Sequence, residues 1–99
     1  MQVQVHSIHF DADQKLIAFI QEKISKLTLF HDEIIGGEVF LRLDKADNKE
    51  NKVTEIKLLV PGKDLFAKRQ CKSFEEATDD AVEALRRQIK KQRDKAREH

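Results

Sequence analysis

Residues 73–97 read SFEEATDDAVEALRRQIKKQRDKAR. Ser73 followed three residues later by Glu76 is the S-x-x-E signature of a capped helix start, in which the hydroxyl accepts a free first-turn N–H. Ala77, Ala81, Leu85 and Ile89 recur at helical spacing, with Phe74, Val82 and Ala84 at the flanks, so the stretch has one apolar stripe. Glu75, Glu76, Asp79 and Asp80 stand near the positive end of the helix dipole and the cations near the negative end. About 24 residues at 1.5 Å each span roughly 36 Å. A seven-residue strand covers only about 23 Å. The helix therefore outruns any sheet it packs on, and its last turns overhang into water.

The overhang is basic. From Arg86 onward the chain carries Arg86, Arg87, Lys90, Lys91, Arg93, Lys95 and Arg97 against Asp94 and Glu98, a net of +5 in a 99-residue chain whose total is +1. The remainder is accordingly acidic by about four charges. Arg86/Lys90, Arg87/Lys91 and Arg93/Arg97 are i,i+4 pairs of like charge, each of which costs an isolated helix a few tenths of a kcal/mol, ~0.2–0.5. The dipole effect fades within the last turn and does not call for so many cations.

Upstream, Val3 and Val5 alternate with Gln2, Gln4 and His6, which predicts a half-buried strand that ends or bulges near Ser7. Asp11 or Asp13 caps the next helix, with Gln14 placed to complete a box from Asp11. Leu16, Ile17, Ile20, Ile24 and Leu27 form its stripe, Phe19 lies at the edge of that stripe, and the helix runs to Leu27 or Leu29. Asp32 to Gly37 reads as a connection broken by Gly36-Gly37. A second strand follows, with Val39, Leu41 and Leu43 on one face and Glu38, Phe40 and Arg42 on the other. KADNKENK (45–52) reads as a solvated hairpin loop. The third strand, Val53 to Val60, turns Thr54, Ile56, Leu58 and Val60 inward. Pro61-Gly62 makes a tight turn, and a fourth strand covers Asp64 to Cys71 with Leu65 and Ala67 inward.

The predicted fold is an α+β two-layer sandwich, β-α-β-β-β-α, with both helices on one face of a four-stranded sheet. It forms a single domain over residues 1–99, and residues 92–99 are a basic helix end open to fraying. The outer sheet face carries Phe40, Val53, Leu59 and Phe66, which read either as cross-strand packing or as a partner surface.

Composition excludes several functions. The four His and single Cys71 make no zinc pattern, and His6 and His9 fall on opposite faces of a strand. There is no Gly-rich phosphate loop and no nucleophile elbow, so no catalytic residue, metal or cofactor is expected, nor a small-molecule substrate. Asp79-Asp80 read as dipole partners rather than a carboxylate dyad, and Cys71 as structural. No apolar run approaches a membrane span, no signal peptide opens the chain, and a cytoplasmic protein without membrane contact is expected.

The basic helix leaves three readings open: nucleic-acid binding, a solvated face, and an acidic protein partner. With no Trp or Tyr and with Phe at core or strand positions, a base-stacking platform for single strands is disfavoured. Backbone and shape recognition of folded RNA suits charged helices on a sandwich, and the β-β-β-α portion resembles the double-stranded RNA-binding domain in outline. The expected contact residues are Lys23, Lys26, Arg86, Arg87, Lys90, Lys91, Arg93 and Lys95, with the first helix bringing Lys23 and Lys26 beside the basic face of the last.

These residues resemble a known family, the ribosome hibernation promoting factors or ribosome-associated inhibitors. Leu16, Ile20, Lys23, Ile24 and Leu27 are similar to its first-helix pattern, as are Val39-Phe40-Leu41 and Leu65-x-Ala67 in the strands. The most specific likeness is Ala77, Asp79, Ala81, Val82, Leu85, Arg87, Gln88, Ile89, Lys90 and Lys91 in the last helix. Ala84, Arg86, Thr78 and Gln92 depart from the family pattern, which moves charge along the helix rather than removing it. The resemblance implies a short form without the second, dimerising domain of the long members. It also implies binding to the small ribosomal subunit at 16S rRNA, where mRNA and the A- and P-site tRNAs would sit, silencing translation in stationary or starved bacterial cells. The protein off the ribosome is then expected to be a monomer. Two alternatives stand beside it, a protein–protein module using the outer sheet face and a general double-stranded RNA binder.

Overall fold

The computed structural model describes residues 2–31, 33–45 and 49–97, with side chains as far as Gln92. Strand β1 (Gln2–Ser7) leads into helix α1 (Gln14–Ser25), which tightens into a 3₁₀ turn over Lys26–Leu29. Strands β2 (Gly36–Leu43), β3 (Lys52–Leu59) and β4 (Leu65–Cys71) follow, and helix α2 (Phe74–Arg97) closes the order. The sheet order is β1-β2-β3-β4, with β1 parallel to β2 and the other neighbours antiparallel. The parallel pair requires a crossover, and α1 supplies it. The predicted element order and two-layer architecture are therefore present.

Each element forms for a local reason. Asp13 caps α1, its carboxylate accepting the Leu16 N–H at 2.8 Å. The cap is thus Asp13 and not Asp11, and the box expected from Asp11 and Gln14 is not formed, because Gln14 is already the first helical residue. Ser73 caps α2 as expected, its hydroxyl accepting the Glu76 N–H at 3.1 Å. Gly62 takes φ 83° in the turn between β3 and β4, a conformation that favours glycine. The β2–β3 connection closes with Asp44 N–H donating to the Asn51 carbonyl at 2.8 Å, while the centre of the expected loop lies outside the described residues.

Both helices pack on one sheet face. Ile20, Ile24 and Leu27 from the α1 side and Ala81, Leu85 and Ile89 from α2 bury against Val39, Leu41, Ile56, Leu58, Leu65 and Ala67. Fully burying one of the Val, Leu or Ile side chains stabilises by about 1.5–3 kcal/mol. Leu43 was expected to face inward with Val39 and Leu41, yet it is 52% exposed at the end of β2, past the reach of the helices.

The glycine pair corrects a third expectation. Gly36 and Gly37 do not break the chain; they begin β2, and both are buried. A Cβ at Gly36 would stand 3.0 Å from the Gln2 carbonyl oxygen of the neighbouring strand. At Gly37 it would stand 3.4 Å from Leu58 Cδ2 and 3.8 Å from Ile24 Cγ2. The missing side chains let β1 and α1 close on this end of the sheet.

The topology fixes the helix directions. Strands β1, β2 and β4 run the same way, and each helix returns against the strand before it, so α1 and α2 are parallel neighbours. Phe10 and Phe74, beside their N-terminal ends, stack at 5.1 Å between ring centroids.

Candidate nucleic-acid interface

The basic residues of α2 sit where its packing on the sheet runs out. Gln88 Nε2 donates to the Phe66 carbonyl at 2.9 Å, which places the fourth turn of the helix level with the start of β4. Lys91 and Gln92 are level with the turn before β4, where they share a cleft with Lys63 and Asp64. The helix then continues to Arg97, about 7 Å beyond Gln92 at 1.5 Å per residue. The expected overhang is present, and the molecule measures 47 × 26 × 19 Å.

Glu83 organises the first two cations. Arg86 donates from Nε to Glu83 Oε2 at 3.0 Å, and Arg87 Nε lies 3.6 Å from Glu83 Oε1. The Arg86 hydrogen bond holds the Glu83 carboxyl below the ordinary carboxylate range, and Glu83 in turn raises the guanidinium pKa of Arg86. Both arginines are thus oriented but partly neutralised. Lys90 and Lys91 are exposed and have no ion-pair partner among the described residues. Arg93 and Lys95 lie on the helical backbone, and their side chains fall outside the described residues.

Lys23 and Lys26 are not brought beside those lysines. Lys23 Nζ is 3.3 Å from Asp79 Oδ1 in the acidic first half of α2, and it also sits 5.5 Å over the Phe19 ring. Lys26 pairs with Glu22 of its own helix at 3.8 Å. Because the helices are parallel, Lys90 stands about 16 Å farther along the α2 axis than Asp79. The expected juxtaposition therefore gives way to two separate basic positions, one beside acidic residues and one open. Lys63, on the opposite side of the cleft from Lys91, is a cation that the sequence reading does not bring to this end of α2. Its place after Pro61-Gly62 was the available signal, since a tight turn before β4 must face the far half of a helix antiparallel to β4.

The outer sheet face is occupied by its own pairs. His6 stacks on Phe40 with centroids 5.0 Å apart and lies 3.7 Å from Glu38. Arg42 forms an ion pair with Glu55, and Lys68 approaches the same carboxylate at 3.9 Å. Val53 is fully buried and Leu59 half-buried, leaving Phe66 as the member of the apolar set more than half exposed. Cross-strand pairs cover most of this face and leave Phe66 open to solvent. Cys71 is buried with its thiol 3.5 Å from Asp80 Oδ2. No group of three His, Cys, Asp or Glu among the described residues is arranged to hold a metal, and no described helix is long and apolar enough to cross a membrane.

Comparison with known proteins gives the chain relatives and structural neighbours. A family model described as "Sigma 54 modulation protein / S30EA ribosomal protein" matches residues 3–97. A Pseudomonas putida protein named ribosome hibernation promoting factor is 27% identical over 95 residues, covering 96% of this chain and 89% of its own length. The Klebsiella oxytoca protein of the same name is 25% identical over 99 residues, covering both chains fully. Among solved structures, a ribosomal subunit interface protein from Coxiella burnetii superposes with TM-score 0.83 at 18% identity, covering 94% of this chain and 98% of its own. The N-terminal domain of Thermus thermophilus Protein Y gives 0.79 at 22% identity, covering 92% and 98%. At these identities the two structures carry the fold alone.

Proposed function

The chain belongs to the Sigma 54 modulation protein / S30EA ribosomal protein family, and from that premise we propose that it is a ribosome-binding translation silencer. The observation that carries the reading is the basic second half of α2, built past the edge of its own sheet and open at Lys90 and Lys91. Local stability gains nothing from like charges at i,i+4, whereas a polyphosphate surface does. The relatives named ribosome hibernation promoting factor supply the class of target, the ribosome, and with it a cytoplasmic location.

In this reading the single domain docks on the small subunit and occupies the channel used by mRNA and by the A- and P-site tRNAs. Arg86, Arg87, Lys90, Lys91, Arg93 and Lys95 pair with 16S rRNA phosphates. Lys23 and Lys26 make a second contact along α1, and Lys23 exchanges Asp79 for phosphate as it does so. The mechanism is steric exclusion held by electrostatics, with no bond made or broken. It operates in stationary or starved cells, and the protein is a monomer off the ribosome.

Sedimentation of a stationary-phase lysate at low salt tests it. The protein is expected in the 30S and 70S fractions, and its absence there would sink the reading. Lys90→Glu combined with Lys91→Glu is expected to release it from those fractions; undiminished association of that variant would move the contact away from the helix end. Equal affinity for 30S subunits and for any RNA duplex would instead favour a general double-stranded RNA binder.

A further inference from the structure

The two edges of the sheet differ. Strand β4 is closed along its free side. Its Phe66 carbonyl accepts from Gln88 Nε2 at 2.9 Å and its Lys68 carbonyl from Arg69 Nη1 at 2.8 Å, and Lys68 and Arg69 put charge on the strand. Both devices keep a further strand off an edge. Strand β1 has neither. The Ile8 N–H donates to the Leu41 carbonyl at 2.9 Å, so the even-numbered residues turn their backbone groups toward β2, and Val3, Val5 and Ser7 turn theirs outward. Among the described residues, the Val3 carbonyl alone of these outward groups accepts a hydrogen bond, a long one of 3.4 Å from Gln21 Nε2.

The flank beside β1 is also uncharged. On α1, Gln14, Ile17 and Gln21 recur at helical spacing and lie on the side of this edge, where the Gln21 bond is made. Lys23 lies on the other side of the helix, against Asp79 of α2. Neither this strip nor β1 holds an Asp, Glu, Lys or Arg, in a chain that is 37% charged. Val3, Val5 and Ile17 are half-buried, whereas Val39 and Leu41, the inward residues of the next strand, are fully buried. The helix layer thus leaves an apolar ledge above an open strand edge. Outward N–H and C=O groups two residues apart match the backbone of another strand, and a surface without cations holds nothing for phosphate. Depletion of charge is the compositional mark of a protein contact.

We propose that the β1 edge takes up an extended segment of a small-subunit protein as a fifth strand, with an apolar side chain of that segment resting on Val5 and Ile17. The inference rests on the ribosome reading above and adds to it a contact with protein. Helix α2 lies over β3 and β4, so this flank faces away from the basic helix and stays free when that helix meets RNA. Main-chain hydrogen bonds to Val5 and Ser7 hold the segment, and the ledge selects one that is apolar and uncharged.

The test uses the whole chain and purified 30S subunits. An aryl azide is attached at Gln4→Cys on β1 and, separately, at Asp94→Cys on α2; Cys71 is buried and stays unlabelled. The label at position 4 is expected to join one stretch of one small-subunit protein, and the label at position 94 to join 16S rRNA. Ser7→Pro removes an outward N–H, a change that an edge strand tolerates. It should weaken subunit binding by about 2- to 10-fold, the worth of one hydrogen bond, and equally at low and high salt. Ser7→Ala should stay within about twofold of the wild type. Thermal melting checks that the variants fold. RNA alone, or nothing, joined from position 4 overturns the added strand, as does a folded Ser7→Pro that binds like Ser7→Ala. A concentration-dependent dimer of the free chain in light scattering, lost in Ser7→Pro, gives the edge to a second copy and overturns it too. With 16S rRNA still joined from position 94, those results leave the ribosome reading intact. No binding of the wild type to 30S subunits removes that reading and the added strand with it.

Discussion

Thr54 and Thr78 are fully buried, and their hydroxyls face each other at 3.4 Å across the sheet–helix boundary. A buried hydroxyl whose partner is removed bears its whole desolvation cost, while removing both partners together is much cheaper. Thr78→Val is therefore expected to cost about 1–3 kcal/mol, and Thr54→Val with Thr78→Val less than the sum of the singles. Urea unfolding of the four proteins in a double-mutant cycle checks it; strict additivity would show that the hydroxyls are not coupled. Cys71 gives a pH prediction at the same scale. Burial, and then the hydrogen bond and charge of Asp80, push its thiol up from 9.0 to about 11. A group whose folded pKa is raised contributes stability that is complete below the unfolded pKa and is lost as pH rises through the folded one. Unfolding free energy should thus fall between pH 9 and 11, and fall less in Cys71→Ala. Parallel declines in the two proteins would assign the loss to other groups.

At the scale of elements, the amphipathic stripes and alternating strands were legible because each is a local pattern. The S-x-x-E cap of α2 and the Pro61-Gly62 turn were legible for the same reason, and the cap of α1 was narrowed to Asp11 or Asp13. Apart from the Asp11–Gln14 box, what failed depended on contacts distant in sequence. Gly36-Gly37 carried one signal with two meanings, chain breaking or close approach, and only the arrival of Gln2 from β1 decides between them. The partner of Lys23 depended on the relative direction of the helices, which follows from the parallel pairing of β1 with β2 and from nothing near Lys23 itself. Lys63 escaped because it meets the basic half of α2 only when that helix passes over the turn. The glycine finding can be tested directly. Gly36→Ala places a Cβ 3.0 Å from backbone that cannot swing aside, so β1 must shift, at a cost of about 1–3 kcal/mol. Gly37→Ala meets the end of a Leu58 side chain at 3.4 Å and should cost less. A reversed order in urea midpoints would mean that β1 is held too loosely at Gln2 to register the clash.

For the whole molecule, the decisive property is how charge is distributed, since the total is only +1. The acidic residues of α2 stand at its capped start beside α1, the open cations stand at the overhanging end, and the ion pairs of the outer sheet face balance locally. Folding therefore asks little of long-range electrostatics, while binding to a phosphate surface asks a great deal. The two should separate under salt. Exposed ion pairs are worth at most about 1 kcal/mol each and include both signs, so the thermal midpoint should move little between about 50 and 200 mM salt. With about five of the eight cations on phosphates at any one time, the log–log slope of subunit affinity should be roughly −3.5 to −4.5, which over the same interval is a loss of roughly a hundred- to fivehundredfold. Lys90→Glu with Lys91→Glu should make that slope shallower by about 1.4–1.8 while leaving the melting curve nearly in place. A slope near zero in the wild type would mean that the molecule meets its partner through a surface other than the basic end of α2. A melting point that fell with the slope would mean that the cations serve the fold.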